Sequence, residues 1–369
     1  MPLTFFMPLT FFMIVTSLMR CLLPSEKPNA PHPVFQRMLG LVLFVVFTLG
    51  EIGFWQSSAS GFDVIAHRGG RFAEPENTLD AFAHALSLGV SGLDADIVIT
   101  KDSVPVLHHG VRLHPDIARG PDGRWVSGTP PLIRRLSYRE MLRDYDVGSL
   151  APESRLGRSF PEQTRTDGAH IPSLAELLTL VKRSRNKSVQ LFLETRLHPK
   201  ERHLTATPRS FAALLARTIR GYRMLDRTTI MSLDWITLGP VRDLAPEVRR
   251  GCMTSEQRWL DTIQRNQPQG SPWLAGRNIN DYEGSVPDMV ADFGCQTWLP
   301  FWGDVTPEAL KRAKTLRLSV IPWVVDDPID VTKAIQMGLD GILTDHPAQV
   351  RQIMLEQGLL LPPRTAIKP

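Results

Sequence analysis

His67 and His109 are imidazoles able to take and give a proton near neutral pH, and both lie within one short stretch, residues 64–109. Between them, Asp94 and Asp96 sit two residues apart in Gly92-Leu93-Asp94-Ala95-Asp96. A strand places residues i and i+2 on one face, so these carboxylates can converge on a single point. Oxygen ligands of that kind suit a hard divalent cation, Mg²⁺ or Ca²⁺. The run around them is apolar, so both acids would be buried without partners unless a cation were present. Glu194, after Leu191-Phe192-Leu193, sits in the same kind of setting and completes a candidate ligand set. His67 leads into Arg68-Gly69-Gly70, where a guanidinium and bare backbone can approach a phosphate closely. Arg68 and Arg196 are the candidate phosphate binders. Glu76 is open to three roles: orienting His67, orienting Arg68, or joining the metal shell. Trp298 and Trp323 are candidates for walling the pocket, and His108 faces away from His109 by strand alternation.

Short β-rich runs alternating with helical stretches must position these groups, the pattern of a parallel α/β domain. Strands are expected at 62–66, 92–99, 104–109, 189–195, 228–233, 248–253, 294–299, 318–325 and 341–345. That is one more than the eight of a (β/α)₈ TIM barrel, and 294–299 is the suspected extra. Helices fit between them at 79–88, capped by Asn77 or Thr78, and at 208–222 and 307–315. Ser137 with Glu140, and Ser173 with Glu176, have capping-box spacing and start two more. His67, Asp94, Asp96, His109, Glu194, Asp234 and Trp323 all fall at or near strand ends, where such a barrel carries its active site. The expected domain is one barrel over 60–369 with a single core and an insertion at about 110–172, after the third strand. An insertion of that length is more often a lid or small cap than a plain connector.

With 43% hydrophobic and 22% charged residues the chain has ordinary globular composition. A net charge of +4, with no basic run interleaved with aromatics, argues against nucleic-acid binding. Cys21, Cys252 and Cys295 show no CxxC spacing. Cys252 and Cys295 can pair if the domain is exported, but their apolar, strand-like settings favour two buried free thiols. Residues 1–59 read as targeting rather than fold. An apolar stretch at 1–19 precedes Arg20, Lys27 and Arg37, and a second apolar run at 38–50 leads to Ser57-Ser58-Ala59. The second unit has the form of a secretory signal, and residues 1–18 are either an upstream-start artefact or an added membrane segment. Both place the catalytic body outside the cytoplasm, with membrane attachment open.

Taken together, His67-Arg68-Gly69, Pro75-Glu76-Asn77-Thr78, Asp94-x-Asp96, Thr100-Lys101-Asp102 and Val104-Pro105-Val106 resemble the glycerophosphodiester phosphodiesterase family. The resemblance continues through His109, Leu193-Glu194, Ser232-Leu233-Asp234-Trp235, Ile321-Pro322-Trp323 and Asp340-Gly341-Ile342-Leu343-Thr344-Asp345. It implies a metal-dependent hydrolase releasing an alcohol and glycerol 3-phosphate from a small glycerophosphodiester. In that reading His67 and His109 are general acid and base, Asp94, Asp96 and Glu194 hold the metal, and a neighbouring glycerol hydroxyl attacks phosphorus through a cyclic intermediate. The chain departs from the family pattern at Asp94, where Glu is usual, at Gly110 for Asp, at Arg196 for Lys and at Val324-Val325-Asp326 for Thr-Val-Asn. Two other readings are a catalytically silent, membrane-tethered binding barrel and a phospholipase acting on intact lipid.

Overall fold

The computed structural model describes residues 61–369, and the expectations for residues 1–59, Cys21 included, lie outside them. Eight parallel staves form the barrel: β1 (Asp63–Ala66), β2 (Gly92–Ile99), β4 (Gln190–Thr195), β5 (Thr228–Ser232), β6 (Arg249–Thr254), β9 (Thr297–Pro300), β10 (Ser319–Val320) and β11 (Gly341–Thr344). They pair in sequence from β11 through β1 and β2 round to β10. The last gap is bridged by Leu343 N–H donating to Pro322 O at 2.9 Å and Val325 N–H to Leu343 O at 2.9 Å. Helices α1 (Leu79–Leu88), α2 (Tyr138–Asp144), α3 (Arg155–Ser159), α4 (Leu174–Arg183) and α5 (Pro208–Tyr222) lie in the first half. The second half holds α6 (Leu238–Leu244), α7 (Val286–Phe293), α8 (Pro307–Thr315), α9 (Pro328–Gln336) and α10 (Pro347–Glu356). No helix among the described residues is long and apolar enough to cross a membrane.

Thr78 caps α1, its Oγ1 accepting from Ala81 N–H at 3.2 Å, and both expected capping boxes form at α2 and α4. All eight residues of β2 are buried, as befits a parallel strand covered on both faces. Inside the barrel, Ile65, Phe192, Met231, Met253, Leu299, Ile321 and Leu343 form one layer. Gly92 makes room for it: a Cβ there would stand 2.8 Å from the Phe192 ring.

The third strand in chain order, β3 (Pro105–Leu107), is not a stave. It runs antiparallel to β2, with Val98 opposite Val106, and the insertion follows it. The suspected extra, 294–299, is instead the genuine stave β9, paired in parallel with both β6 and β10. Local pattern could not separate the two, because both are short, apolar and flanked by turn residues. The insertion packs around a small apolar cluster within the same compact unit as the barrel. Val98, Val106, Leu113, Ile117, Ile133, Met141, Val147 and Ile171 form that cluster, each contributing about 1.5–3 kcal/mol by burial. A two-stranded hairpin, β7 (Glu256–Gln257) and β8 (Leu260–Asp261), follows β6.

Cys252 and Cys295 are not free thiols but a disulfide, with Cα atoms 5.9 Å apart. Cys252 lies in β6 and Cys295 just before its neighbour β9, a proximity that exists only once the staves pair. The bridge closes a 43-residue separation, so removing it should cost about 2–4 kcal/mol. Cys252→Ser with Cys295→Ser is therefore expected to unfold at lower urea than the oxidised wild type, and a reductant should erase that difference. Identical midpoints in all three states would mean that the bridge is not formed in solution.

Candidate active site

β1 delivers His67 at its C-terminal end and then turns sharply through Arg68 (φ 52°), Gly69 (φ 88°) and Gly70 (φ 85°). A Cβ at Gly69 would meet Ala81 Cβ at 2.6 Å, so the close approach of α1 requires glycine there. The turn directs Arg68 N–H onto Asp94 Oδ2 at 3.1 Å and His67 Nδ1 onto Asp345 Oδ1 at 2.6 Å. An ionised carboxylate only accepts, so Nδ1 carries the proton and Nε2 faces the site, 4.0 Å from Asp94 Oδ2. Burial alone would raise the Asp345 carboxyl, but His67 and Arg71 outweigh it and hold it far below the usual range. Arg71 Nε donates to Asp345 Oδ2 at 2.9 Å, and Asp326 Oδ1 accepts from Asp345 N–H at 2.8 Å.

The β2–β4 register sets Asp96 directly beside Glu194 and Asp94 beside Phe192, all on the inner face. Asp94, Asp96 and Glu194 are each less than a tenth exposed. Burial, with Asp96 and Glu194 as neighbours, pushes the Asp94 carboxyl well above its ordinary value. Burial likewise lifts Glu194 to about 7 in spite of Arg196. Asp96 is the exception: the guanidiniums of Arg68 and Arg196 overcome its burial and hold it low. Arg68 Nε lies 3.0 Å from Asp96 Oδ2 as an ion-pair contact without hydrogen-bond alignment. Asn77, itself at φ 57°, donates its amide to the same Asp96 oxygen at 3.0 Å.

Arg196, two residues beyond Glu194, bonds the Glu194 carboxylate and donates through Nε to His109 O at 2.8 Å. Its other nitrogen lies 2.9 Å from His109 Nε2, so that imidazole nitrogen is the unprotonated one. Burial first, then the charges of Arg196 and Arg68, push His109 well below its ordinary value and keep it neutral. His108 bonds Gly110 O at 2.7 Å and none of the site's carboxylates, as the alternation predicted.

The Glu76 carboxylate takes Arg68 at 2.9 and 3.0 Å and Arg71 at 3.3 Å. Trp323 caps the inner layer, its Nε1 bonded to Leu299 O at 2.9 Å, with Phe301 and the exposed Trp259 edge-on to it. Trp298 does not wall the pocket; it is buried in the outer core and bonds Thr254 Oγ1. Asp234 is likewise outside the carboxylate group, held by both arms of Arg202. Asp345, Arg71 and Asn77 are the site residues missed from sequence. Asp345 directly follows the last stave, much as Glu194 lies one residue short of the end of β4, which was the available signal.

Besides His67, the five carboxylates of Asp94, Asp96, Glu194, Glu76 and Asp345 meet the three guanidiniums of Arg68, Arg71 and Arg196, which leaves an excess of two negative charges when all are ionised and His67 is neutral. Asp94 Oδ1 is buried with no hydrogen-bond partner. Oxygen donors, an orphaned carboxylate atom and that charge deficit all fit a hard divalent cation. As placed, no three His, Cys, Asp or Glu side chains among the described residues stand close enough to grip one, because Arg68 and Arg196 stand among them. Beside these groups opens a cavity of about 360 Å³, reached by Arg68, Arg71, Glu76 and His109 from the barrel and by Arg155 and Phe160 from the insertion.

An eight-staved parallel barrel with carboxylates and an imidazole gathered at the C-terminal ends of its staves, and a second imidazole just after β3, defines a TIM-barrel protein. Its kinship is more particular. Residues 67–349 match the glycerophosphoryl diester phosphodiesterase family, and the chain belongs to that family. A Silicibacter pomeroyi crystal structure described as a glycerophosphoryl diester phosphodiesterase is 34% identical, covers 82% of this chain and 95% of that one, and superposes with a TM-score of 0.72. An Oleispira antarctica phosphodiesterase, solved with the product sn-glycerol-3-phosphate, shares the fold at 18% identity and TM-score 0.58, over 80% of this chain and 97% of its own. The glycerophosphodiester phosphodiesterase of Caldanaerobacter subterraneus subsp. tengcongensis is 24% identical over 80% of this chain and 98% of its own length.

Proposed function

We propose that the chain hydrolyses glycerophosphodiesters to an alcohol and glycerol 3-phosphate with His109 as proton acceptor and His67 as proton donor. The observation that carries this reading is the opposite setting of the two imidazoles. His109 is neutral beside two guanidiniums, whereas His67 is backed by the ionised Asp345. A diester anion repels nucleophiles, and Arg68 and Arg196 offset that charge from the carboxylate side. His109 Nε2, released from Arg196 as the guanidinium turns to the phosphate, takes the proton of the attacking hydroxyl. His67, entering as an imidazolium paired with Asp345, gives its Nε2 proton to the departing alkoxide and is left neutral; water then opens the cyclic phosphate by the reverse transfers, which restores both imidazoles and yields glycerol 3-phosphate. Asp94, Asp96 and Glu194 would hold a divalent cation, which would add positive charge to offset that of the phosphate.

The test is release of glycerol 3-phosphate from glycerophosphocholine by the purified protein with chelator, and then with Mg²⁺ or Ca²⁺ restored. Chelation should lower turnover at least about 100-fold, with one ion restoring it. Turnover indifferent to chelator would remove the metal from the reading, and a folded protein inert with either ion would remove the hydrolase. The chain is further proposed to act outside the cytoplasm, supported by the signal-like 38–59 segment and by the Cys252–Cys295 disulfide, a linkage uncommon in reducing compartments. Recovery of the protein in the cytoplasmic fraction with both thiols free would contradict that.

A further inference from the structure

The cavity beside the site has a second wall that the chemistry above does not use. It is built by α3 and the residues after it, and it is fastened to the turn that carries His67. Ser154 caps α3 by accepting from Gly157 N–H at 3.0 Å. The Arg71 guanidinium lies 5.0 Å above the Phe160 ring, Gln163 donates to Arg71 O at 2.6 Å, and Thr164 N–H donates to Ala73 O at 2.8 Å. Arg155 lines the cavity from this wall.

The cations of the cavity are not equivalent. Arg68 and Arg71 are committed to Glu76, Asp96 and Asp345. Arg155 makes no ion pair and no side-chain hydrogen bond among the described residues, and Asp116, on the same cavity, makes none with it either. The exposed Arg155 guanidinium, left open on the lining of the cavity and carried on a wall pinned at three points, presents a planar fork for an oxyanion. The reacting phosphate must sit between His67 and His109, so the group reaching Arg155 belongs to the far end of the substrate.

We propose that Arg155 anchors a second anion subsite, which takes a phosphate or carboxylate on the alcohol half of the diester. The preferred substrates are then glycerophosphodiesters whose alcohol carries its own negative charge. This rests on the phosphodiesterase reading above. The rival location for a head group is the rim three staves away, where Trp259 is 64% exposed and stands edge-on to Phe301 and Trp323, a surface suited to a quaternary ammonium.

The test compares the full chain with Arg155→Gln and Arg155→Lys on three substrates: glycerophosphoglycerophosphoglycerol, with a second phosphate; glycerophosphoglycerol, neutral in its alcohol; and glycerophosphocholine, cationic. The expected result is a KM for the two-phosphate substrate raised about tenfold in Arg155→Gln and only partly in Arg155→Lys. The kcat, and both parameters for the neutral substrate, should stay unchanged. Equal loss on all three substrates, or no loss on any, overturns the subsite. So does a wild-type preference for the choline substrate that Trp259→Ala removes, which would place the head group on the rim. Binding of the two-phosphate substrate under chelation, followed by calorimetry, separates the two readings. Affinity that falls in Arg155→Gln, in a protein that cleaves none of the three, keeps the subsite and rejects the hydrolase. Cleavage with Arg155-independent binding does the reverse.

Discussion

Replacing His109 by alanine is expected to slow glycerophosphodiester hydrolysis about 10³-fold with little change in fold. His109 lines the open cavity, so truncating its ring widens that cavity rather than creating a sealed void. What disappears is the neutral acceptor itself. Burial and the charges of Arg196 and Arg68 keep His109 unprotonated at neutral pH, and no other imidazole takes its place. His108 is adjacent in sequence but is tied to Gly110. His108→Ala is thus the natural control, expected to retain kcat within about threefold, since general-base catalysis is lost only with the base. Steady-state kinetics on glycerophosphocholine with circular dichroism for fold would check both. A His109→Ala enzyme as fast as wild type would mean that the proton goes elsewhere.

The second large effect belongs to Asp345. Asp345→Asn keeps the shape of the side chain but replaces the ionised acceptor of the His67 Nδ1 proton with a neutral amide. An amide can also offer His67 its NH₂ group, which forces the other tautomer and leaves Nε2–H on a neutral ring, a far weaker acid than the imidazolium that donates to the leaving group. By analogy with the acid that backs a catalytic histidine elsewhere, kcat should fall about 10²- to 10³-fold while KM moves little. Arg71 loses a partner at the same time, so the thermal midpoint must be read alongside. Arg71→Gln, which keeps the His67–Asp345 bond, separates the two effects. If it loses as much kcat as Asp345→Asn, the carboxylate acts through Arg71 rather than through His67.

How much of this was legible in the sequence differs from residue to residue. The staves that carry His67, Asp94, Asp96 and Glu194 were readable because each is an apolar run that ends in polar groups, and the caps at Thr78, Ser137 and Ser173 because capping is local. Pairing direction was not readable. β3 and β9 have similar composition, and only their neighbours decide that one runs back along β2 while the other completes the barrel. The same limit hid the disulfide and Asp345. Cys252 and Cys295 meet across adjacent staves, and Asp345 reaches His67 because barrel closure brings residues 278 positions apart into contact. Arg71 and Asn77 were hidden for a different reason: one follows a glycine turn of unknown direction, and the other looked like a helix cap.

The insertion's apolar cluster begins at Val98 and Val106, so the cap is rooted two residues beyond Asp96 on the strand that holds the carboxylates. The cap is therefore not an interchangeable module resting on a finished barrel. A chimera that transplants residues 110–172 from a relative would set a foreign core against this chain's Val98, and any mismatch there would be felt at Asp96 through a single strand. Grafts that carry both sides of the β2–β3 hairpin with the cap would keep that seam intact, whereas grafts cut at Gly110 would test how far an ill-fitting lid can displace a carboxylate it never touches.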